Sequence, residues 1–263
     1  MSLPKTADII VIGGGIIGTS VAYHIARRGA EVILLERNQF FGEESTAKAA
    51  GGVRAHFGTE INVRLSQISL LGFERLEAET GYSSSLIRSG YLFVLTRETD
   101  VRAFKAKLPM WERLGVRTEW WNGEEVRERF SIMRWDDALA AVWGPDDGLA
   151  DPGSAVQGYV SAGSRAGARF FANAEVTAIR TVGGRIESVT TSAGEIALIG
   201  PVAGADGLYV VAGFSGHGFM HGPAAALIAA EEIVDGKATS LDPTPFRPDR
   251  FARGAAIQED IVI

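Results

Sequence analysis

Residues 7–36 read ADIIVIGGGIIGTSVAYHIARRGAEVILLE, and this stretch decides the fold. ADIIVI (7–12) is an apolar run of the length of a buried strand. A glycine cluster interrupts it. Ile16 to Arg28 reads as a helix, and Gly29 stands where a helix stops. EVILL (31–35) is a second buried strand. Strand, glycine turn, helix and strand within about 30 residues make a βαβ unit.

The glycines carry chemistry as well as a turn. Gly13, Gly15 and Gly18 form GxGxxG between the first strand and the helix. The first glycine allows the tight turn, the second lets the backbone approach a pyrophosphate, and the third lets helix and strand pack closely. The helix N-terminus, at Ile16 and Ile17, turns N–H groups and a positive dipole end toward the phosphates. Glu36 closes the second strand, where a carboxylate accepts hydrogen bonds from a ribose 2′-OH and repels a 2′-phosphate. NADP is therefore disfavoured. This motif does not separate NAD from FAD.

The bulk numbers bound the rest. The chain has 263 residues, enough for one large domain or two small ones, and 46% hydrophobic residues predict a packed core. A net charge of -6 argues against nucleic acid as a partner. The absence of cysteine excludes disulfides, thiol catalysis and cysteine-ligated metals. The histidines, His24, His56, His217 and His221, suggest no metal site. The N-terminus lacks the long apolar core of a signal peptide, and no apolar stretch reaches the ~18 residues of a membrane span. A soluble cytoplasmic protein is expected.

Downstream, a stretch rich in small residues (42–58) precedes a helix at 60–79 with Ile61, Leu65, Ile68 and Leu71 on one face. Short strands (89–96, 117–121, 138–145) then alternate with charged helices (98–114, 123–130). A helix at 151–167 has Pro152 in its first turn. Residues 175–191 alternate as a hairpin about Gly183–Gly184. GLYVVAG (207–213) reads as a buried strand, 213–222 as a glycine-rich loop, and 223–236 as a helix with Pro223 at its first position. The fold class is thus α/β, Rossmann-like. A discontinuous dinucleotide-binding domain (1–80 and 151–250) carries an inserted α+β region (81–150) and a tail (251–263).

VIGGGIIG, LLERN, STAKAAGGVR, SGYLFVLT, the hairpin with Val176, and GFSGHGFMHGPAAA, in this order, resemble the FAD-dependent amino-acid oxidase family. That family contains glycine oxidase, sarcosine oxidase with its β subunits, and related dehydrogenases. The resemblance implies that Gly13, Gly15, Ile16, Ile17 and Gly18 hold the FAD pyrophosphate, that Glu36 holds the adenosine ribose, and that Arg37 lies near the adenine. Ser45, Thr46, Lys48, Ala50, Gly51, Gly52 and Val53 would run along the pyrophosphate and flavin ring, where small residues let backbone lie close to a flat aromatic system. Val176 would set backbone against the adenine. The loop Gly213, Phe214, Ser215, Gly216, His217, Gly218, Phe219, Met220 would reach the far end of the flavin, and the helix starting near Pro223 would aim its positive end at the flavin's carbonyl side. Lys48 stands where histidyl-flavin relatives carry histidine, so FAD is expected to bind noncovalently.

The resemblance also implies the chemistry: oxidation of an amine alpha to a carboxylate, by hydride transfer to flavin N5, with oxygen or an electron carrier as final acceptor. Arg54 matches the position that binds the substrate carboxylate, bidentately. His217 would touch substrate or flavin, or be structural. Tyr91 would wall the pocket, or belong to the core. Met220 departs from relatives that carry a lysine there. His24 reads as a helix-surface or packing residue, and His56 has no assignment. Finally, the resemblance implies a block the size of a small domain missing between about residues 196 and 198, which would weaken flavin retention and leave the substrate cavity open. The alternatives are a minimal enzyme and a catalytically inactive FAD-binding fragment or subunit. Because relatives work as hetero-oligomers, homo- or hetero-oligomeric partners are candidates to cover the gap.

Overall fold

The computed structural model of the chain describes residues 3–183, 185–192, 194–198, 208–247, 250, 254 and 255. Short β1 (Thr6–Ala7) leads into β2 (Ile9–Ile12), α1 (Ile16–Ala26) and β3 (Val32–Leu35), the βαβ unit read from the sequence. β3 is the middle strand of a parallel sheet ordered β2-β3-β9, with β9 at Arg169–Phe171. All four β3 residues are buried, as expected of a strand covered on both faces. Burying side chains of this size contributes about 1.5–3 kcal/mol each.

Between β3 and β9 lie β4 (Gly52–Val53), α2 (Glu60–Thr80), β5 (Tyr91–Leu95), α3 (Glu98–Arg113), β6 (Glu119–Asn122), α4 (Gly123–Arg129), β7 (Ala140–Gly144), β8 (Gly148–Leu149) and α5 (Pro152–Arg165). β5, β7 and β6 form an antiparallel sheet, and β4 pairs with β8. α2 ends where Gly81 takes a left-handed conformation, φ 78°. Its inward face overlaps the expected one at Leu65, which is buried, and at the half-buried Ile61 and Ile68, and departs from it at Leu71. Val63, Leu70, Phe73 and Leu76 are buried while Leu71 is 48% exposed. Phe73, the largest apolar residue of the helix, faces inward, and Leu71, about 200° away around the axis, is left outside. One core cluster joins α1, α2, β5, α3, β7 and α5, so both regions of the chain share an interior.

After β9, strands β10 (Val176–Val182), β11 (Arg185–Thr191) and β12 (Gly194–Leu198) form a meander, and β12 pairs in parallel with β1. The suspected juncture at 196–198 falls inside β12. That strand runs unbroken, with Ala197 opposite both Ser188 and Thr6. Residue 193 and residues 199–207 lie outside the described residues.

Two expectations near the C-terminus need correction. Residues 208–212 do not form a strand, and Leu208 and Val210 are 54% and 63% exposed. Apolar, β-branched composition favours pairing but does not supply a partner. Among the described residues β2 pairs with β3 alone. The last helix, α6 (Gly218–Ala230), starts five residues before Pro223 and continues as one π-type turn, Glu231–Asp235. Pro223 lies inside it and withholds an N–H. The next amide, Ala224, donates to Ser69 Oγ on α2 at 3.1 Å, a cross-helix bond that helps the proline sit there.

α1 packs against α5 and α6 and stands on the β2–α1 turn. Its close approach depends on Gly18, where a Cβ would run into the carbonyl oxygen of Gly13. Replacing Gly18 by alanine should therefore lift α1 from the turn. Circular-dichroism melts should show a loss of about 1–3 kcal/mol, as for other overpacked positions, together with weakened dinucleotide binding.

Candidate cofactor and substrate site

Three chain segments meet at the C-terminal end of the parallel sheet, where open α/β folds bind ligands. The first is the β2–α1 turn. Gly13 donates its N–H to Leu35 O at 2.9 Å and takes φ 102°. Gly15 caps α1 without a side chain, and the first-turn amides of Ile17 and Gly18 have no acceptor within the helix. Glu36 is buried at the end of β3. One carboxylate oxygen accepts from Gly14 N–H (2.6 Å) and the other from Asn38 N–H (2.8 Å). Two lone-pair sites remain for hydroxyl donors.

The second segment is 42–54. Gly42 N–H donates to Gly14 O (2.9 Å), and Thr46 Oγ1 accepts from Ile16 N–H (3.1 Å), so this segment lies over the start of α1. Ser45, Lys48 and Ala50 are exposed. Lys48 and Arg37 both reach Glu44, at 3.7 and 2.9 Å. Glu44 raises the Arg37 pKa, mainly by their hydrogen bond. Gly51, at φ 80°, lies against the carbonyl of Ala150, a position no side chain could share. Gly52 and Val53 then form β4. Val176 starts β10, half-buried, packed with Ile10 beside the end of β3.

The third segment is the start of α6. Gly218 and Gly222 lie against Ile16 and Ile17 of α1. Phe219 and Met220 are in the first turn, but their side chains are buried in the core, with Phe219 5.0 Å from the Phe73 ring. They offer backbone rather than side chains. Gly213 and Gly216 both have positive φ and keep the preceding loop tight.

Arg54, Tyr91 and His217, from three distant parts of the sequence, come together here. The Arg54 guanidinium is 7% exposed. It lies over the rings of Phe57, Tyr91 and Phe93, with its carbon 5.0, 5.3 and 5.6 Å from their centroids. Nη2 lies 3.2 Å from His217 Nε2. A guanidinium only donates, so Nε2 is the accepting nitrogen and the ring proton sits on Nδ1. Arg54 Nε is buried with no partner, and among the described residues no carboxylate pairs with Arg54. Cation–π contacts offset part of the cost of burying this charge, about 0.5–2 kcal/mol. Nε is left without an acceptor among the described residues.

Phe57, Phe93 and His221 were not anticipated. Alternation in VRAHF was the available signal for Phe57. His217 and His221 stand four residues apart, an HxxxH spacing at the start of α6. Their rings are 5.9 Å apart, but each points to its own partner: His217 to Arg54, and His221 Nε2 to Ser66 Oγ at 2.9 Å. Burial, with His217 and Arg54 nearby, holds the His221 pKa down to about 3. His24 packs against Tyr23 and Tyr159, in keeping with its reading, and burial also brings its pKa to about 3.

A parallel sheet with a glycine turn beneath a helix N-terminus, an acid at the end of the second strand, and a buried cation nearby define a dinucleotide-binding oxidoreductase fold. The chain belongs to the FAD-dependent oxidoreductase family, whose pattern matches residues 8–199. It is 30% identical over 192 residues to 4-methylaminobutanoate oxidase (formaldehyde-forming) of Paenarthrobacter nicotinovorans, covering 73% of this chain and 23% of that one. It is 29% identical over 180 residues to mitochondrial sarcosine dehydrogenase of Homo sapiens, covering 68% and 20%. The chain thus spans about a fifth of the length of these relatives. Its fold is similar to L-proline dehydrogenase from P. horikoshii, with TM-score 0.88, 24% identity, and coverage of 97% of this chain and 100% of that one. Among the described residues no helix is long and apolar enough to cross a membrane.

The family is FAD-dependent, and the residues present fit the group. Gly18 keeps the phosphate side of α1 open, Glu36 retains lone pairs for a ribose, and the orphaned Arg54 donors lie beside small-residue backbone.

The depressed His221 pKa has a pH consequence. Below about 6.5 an unfolded His221 binds a proton that the folded one does not, so stability falls as pH drops through this window. The slope is about 1.4 kcal/mol per pH unit. Thermal melts between pH 6.5 and 5, above the carboxylate range, should show a steeper loss in the wild type than in His221→Gln.

Proposed function

We propose that the chain holds FAD noncovalently and oxidises the C–N bond of an amino acid or secondary amine of the glycine, sarcosine or proline kind. The observation that carries this reading is Arg54: a buried guanidinium with an unpartnered Nε and no counter-carboxylate among the described residues. A buried cation left without a partner is costly, and a substrate carboxylate would relieve that cost. FAD, when bound, supplies the hydride acceptor.

The chain's own residues would hold and orient the two ligands. The first turn of α1 and Thr46 would border the pyrophosphate, Glu36 the ribose, and Val176 the adenine side. Arg54 would bind the substrate carboxylate through its remaining N–H groups. His217, accepting from Nη2, would fix the plane of the guanidinium. Tyr91 and Phe57 would flank it and exclude water, which strengthens each charge interaction inside. Oxygen or an electron carrier would take the electrons onward. Lys48, exposed and near Glu44, has no need to attach the flavin.

A second reading is a minimal, catalytically inactive FAD-binding subunit of a hetero-oligomer. The short span relative to curated relatives favours it.

Purified protein mixed with FAD and desalted should carry a two-band flavin spectrum that denaturation releases. Anaerobic addition of sarcosine, L-proline or glycine should then bleach it. Arg54→Met should keep the spectrum and lose about 2 kcal/mol or more of substrate binding, about thirtyfold in KM. Flavin retention with no bleaching by any amino acid or secondary amine would favour the inactive subunit. A protein that stays colourless would overturn both readings.

A further inference from the structure

One buried polar cluster lies directly behind the Arg54 cage and has no part in the roles above. Asp147, in the turn between β7 and β8, is 1% exposed, and so is His56. Asp147 Oδ2 lies 2.7 Å from His56 Nδ1, and Oδ1 accepts the N–H of Ala55 at 2.9 Å. The other ring nitrogen, Nε2, lies 2.9 Å from Thr118 Oγ1, whose hydroxyl is also 3.2 Å from Val116 O. The main-chain oxygen of Asp147 accepts the N–H of Gly90 at 2.9 Å. Gly144 makes room for the pair, because a Cβ there would strike both side chains.

The chain positions of these contacts give them meaning. Ala55 follows Arg54, and His56 precedes Phe57. Gly90 precedes Tyr91. Asp147 thus ties together the two segments that carry the aromatic faces around the guanidinium, Phe57 on one and Tyr91 with Phe93 on the other. The His56 ring meets Trp111 edge-on at 4.9 Å, and Trp111 Nε1 donates to Phe57 O at 2.8 Å, a second hold on the same residue. Asp147 does this without pairing with Arg54 itself, so the guanidinium charge stays available. For stability alone, apolar residues of similar volume would serve as well as a buried, hydrogen-bonded polar pair.

We propose that Asp147 is the positioning residue of the Arg54 site. Its carboxylate, through Ala55 and His56, and its carbonyl, through Gly90, hold the guanidinium and its aromatic neighbours in the geometry that receives a carboxylate. This rests on the reading of Arg54 as a carboxylate site.

Calorimetric titration of the FAD-loaded chain with benzoate, and with benzamide as its uncharged analogue, tests both levels. Asp147→Asn keeps the size and one acceptor but turns an amide toward His56. It should weaken benzoate about tenfold to a hundredfold, as small misplacements of a binding group do, and leave benzamide unchanged. His56→Gln keeps Asp147 and its bond to Ala55, and should give a smaller loss in the same direction. It carries the test if Asp147→Asn does not fold. Unchanged benzoate affinity in the folded variants, with Arg54→Met abolishing binding, would overturn the positioning role and leave the Arg54 site standing. Equal weakening of benzoate and benzamide, or failure of both variants to fold, would make the cluster purely structural. Benzoate binding indifferent to Arg54→Met, or absent from the wild type, would remove the carboxylate site and the proposal with it.

Discussion

The contact between Gly18 and the carbonyl of Gly13 sets the depth at which α1 rests on the sheet, and the remaining geometry follows from that depth. With no side chain at Gly18, α1 comes close enough for its first-turn amides to face the end of β2. Its buried sides then receive α5 and α6. The start of α6 lies close against Ile16 and Ile17 because Gly222 adds no bulk there. That places His217 at Arg54. The glycine turn and the Arg54 cluster thus share one support, although some 160 residues of sequence separate Arg54 from His217.

The two sites are built on different principles. The dinucleotide side uses backbone: N–H groups at a helix start, glycines, and a carboxylate that is itself held by two amides. Such groups need no reorganisation to meet a ligand, because their neighbours already fix them. The Arg54 cluster uses a charge buried on aromatic rings. A buried charge attracts an anion strongly because water is excluded, and the same exclusion makes an unpaired charge costly. His221 adds to this environment. It stays neutral beside Arg54 and His217, so it does not add a further positive charge to the cage.

Much of this was legible in the sequence, for identifiable reasons. GxGxxG, the strand before it and Glu36 interact within a span of about 30 residues, so their spacing states their geometry. Arg54 and Tyr91 could be named through resemblance, but only folding shows that they touch. His56 and Asp147 could not be paired from sequence, since they stand 91 residues apart and meet through a turn on another sheet. Local pattern misled in two places. GLYVV has the composition of a strand and lacks a described partner, and Pro223, a usual first-turn residue, stands inside α6 because Ser69 accepts the neighbouring amide.

The division between backbone and cage bears on what a shortened chain retains. The dinucleotide side draws on β2, α1, β3 and the 42–53 segment, which contact one another directly. β12 closes the meander onto β1, so the sheet that begins at Val176 is continuous. The region around β4, β8 and β5 is less enclosed: Ile87 and Leu149 are exposed apolar residues, and β5 pairs on one edge alone among the described residues. On the function proposed above, cofactor binding would depend on pre-set backbone, whereas turnover would also need water kept from the Arg54 cluster. Loss of covering structure would then weaken the second before the first, and a partner surface would act in the opposite order.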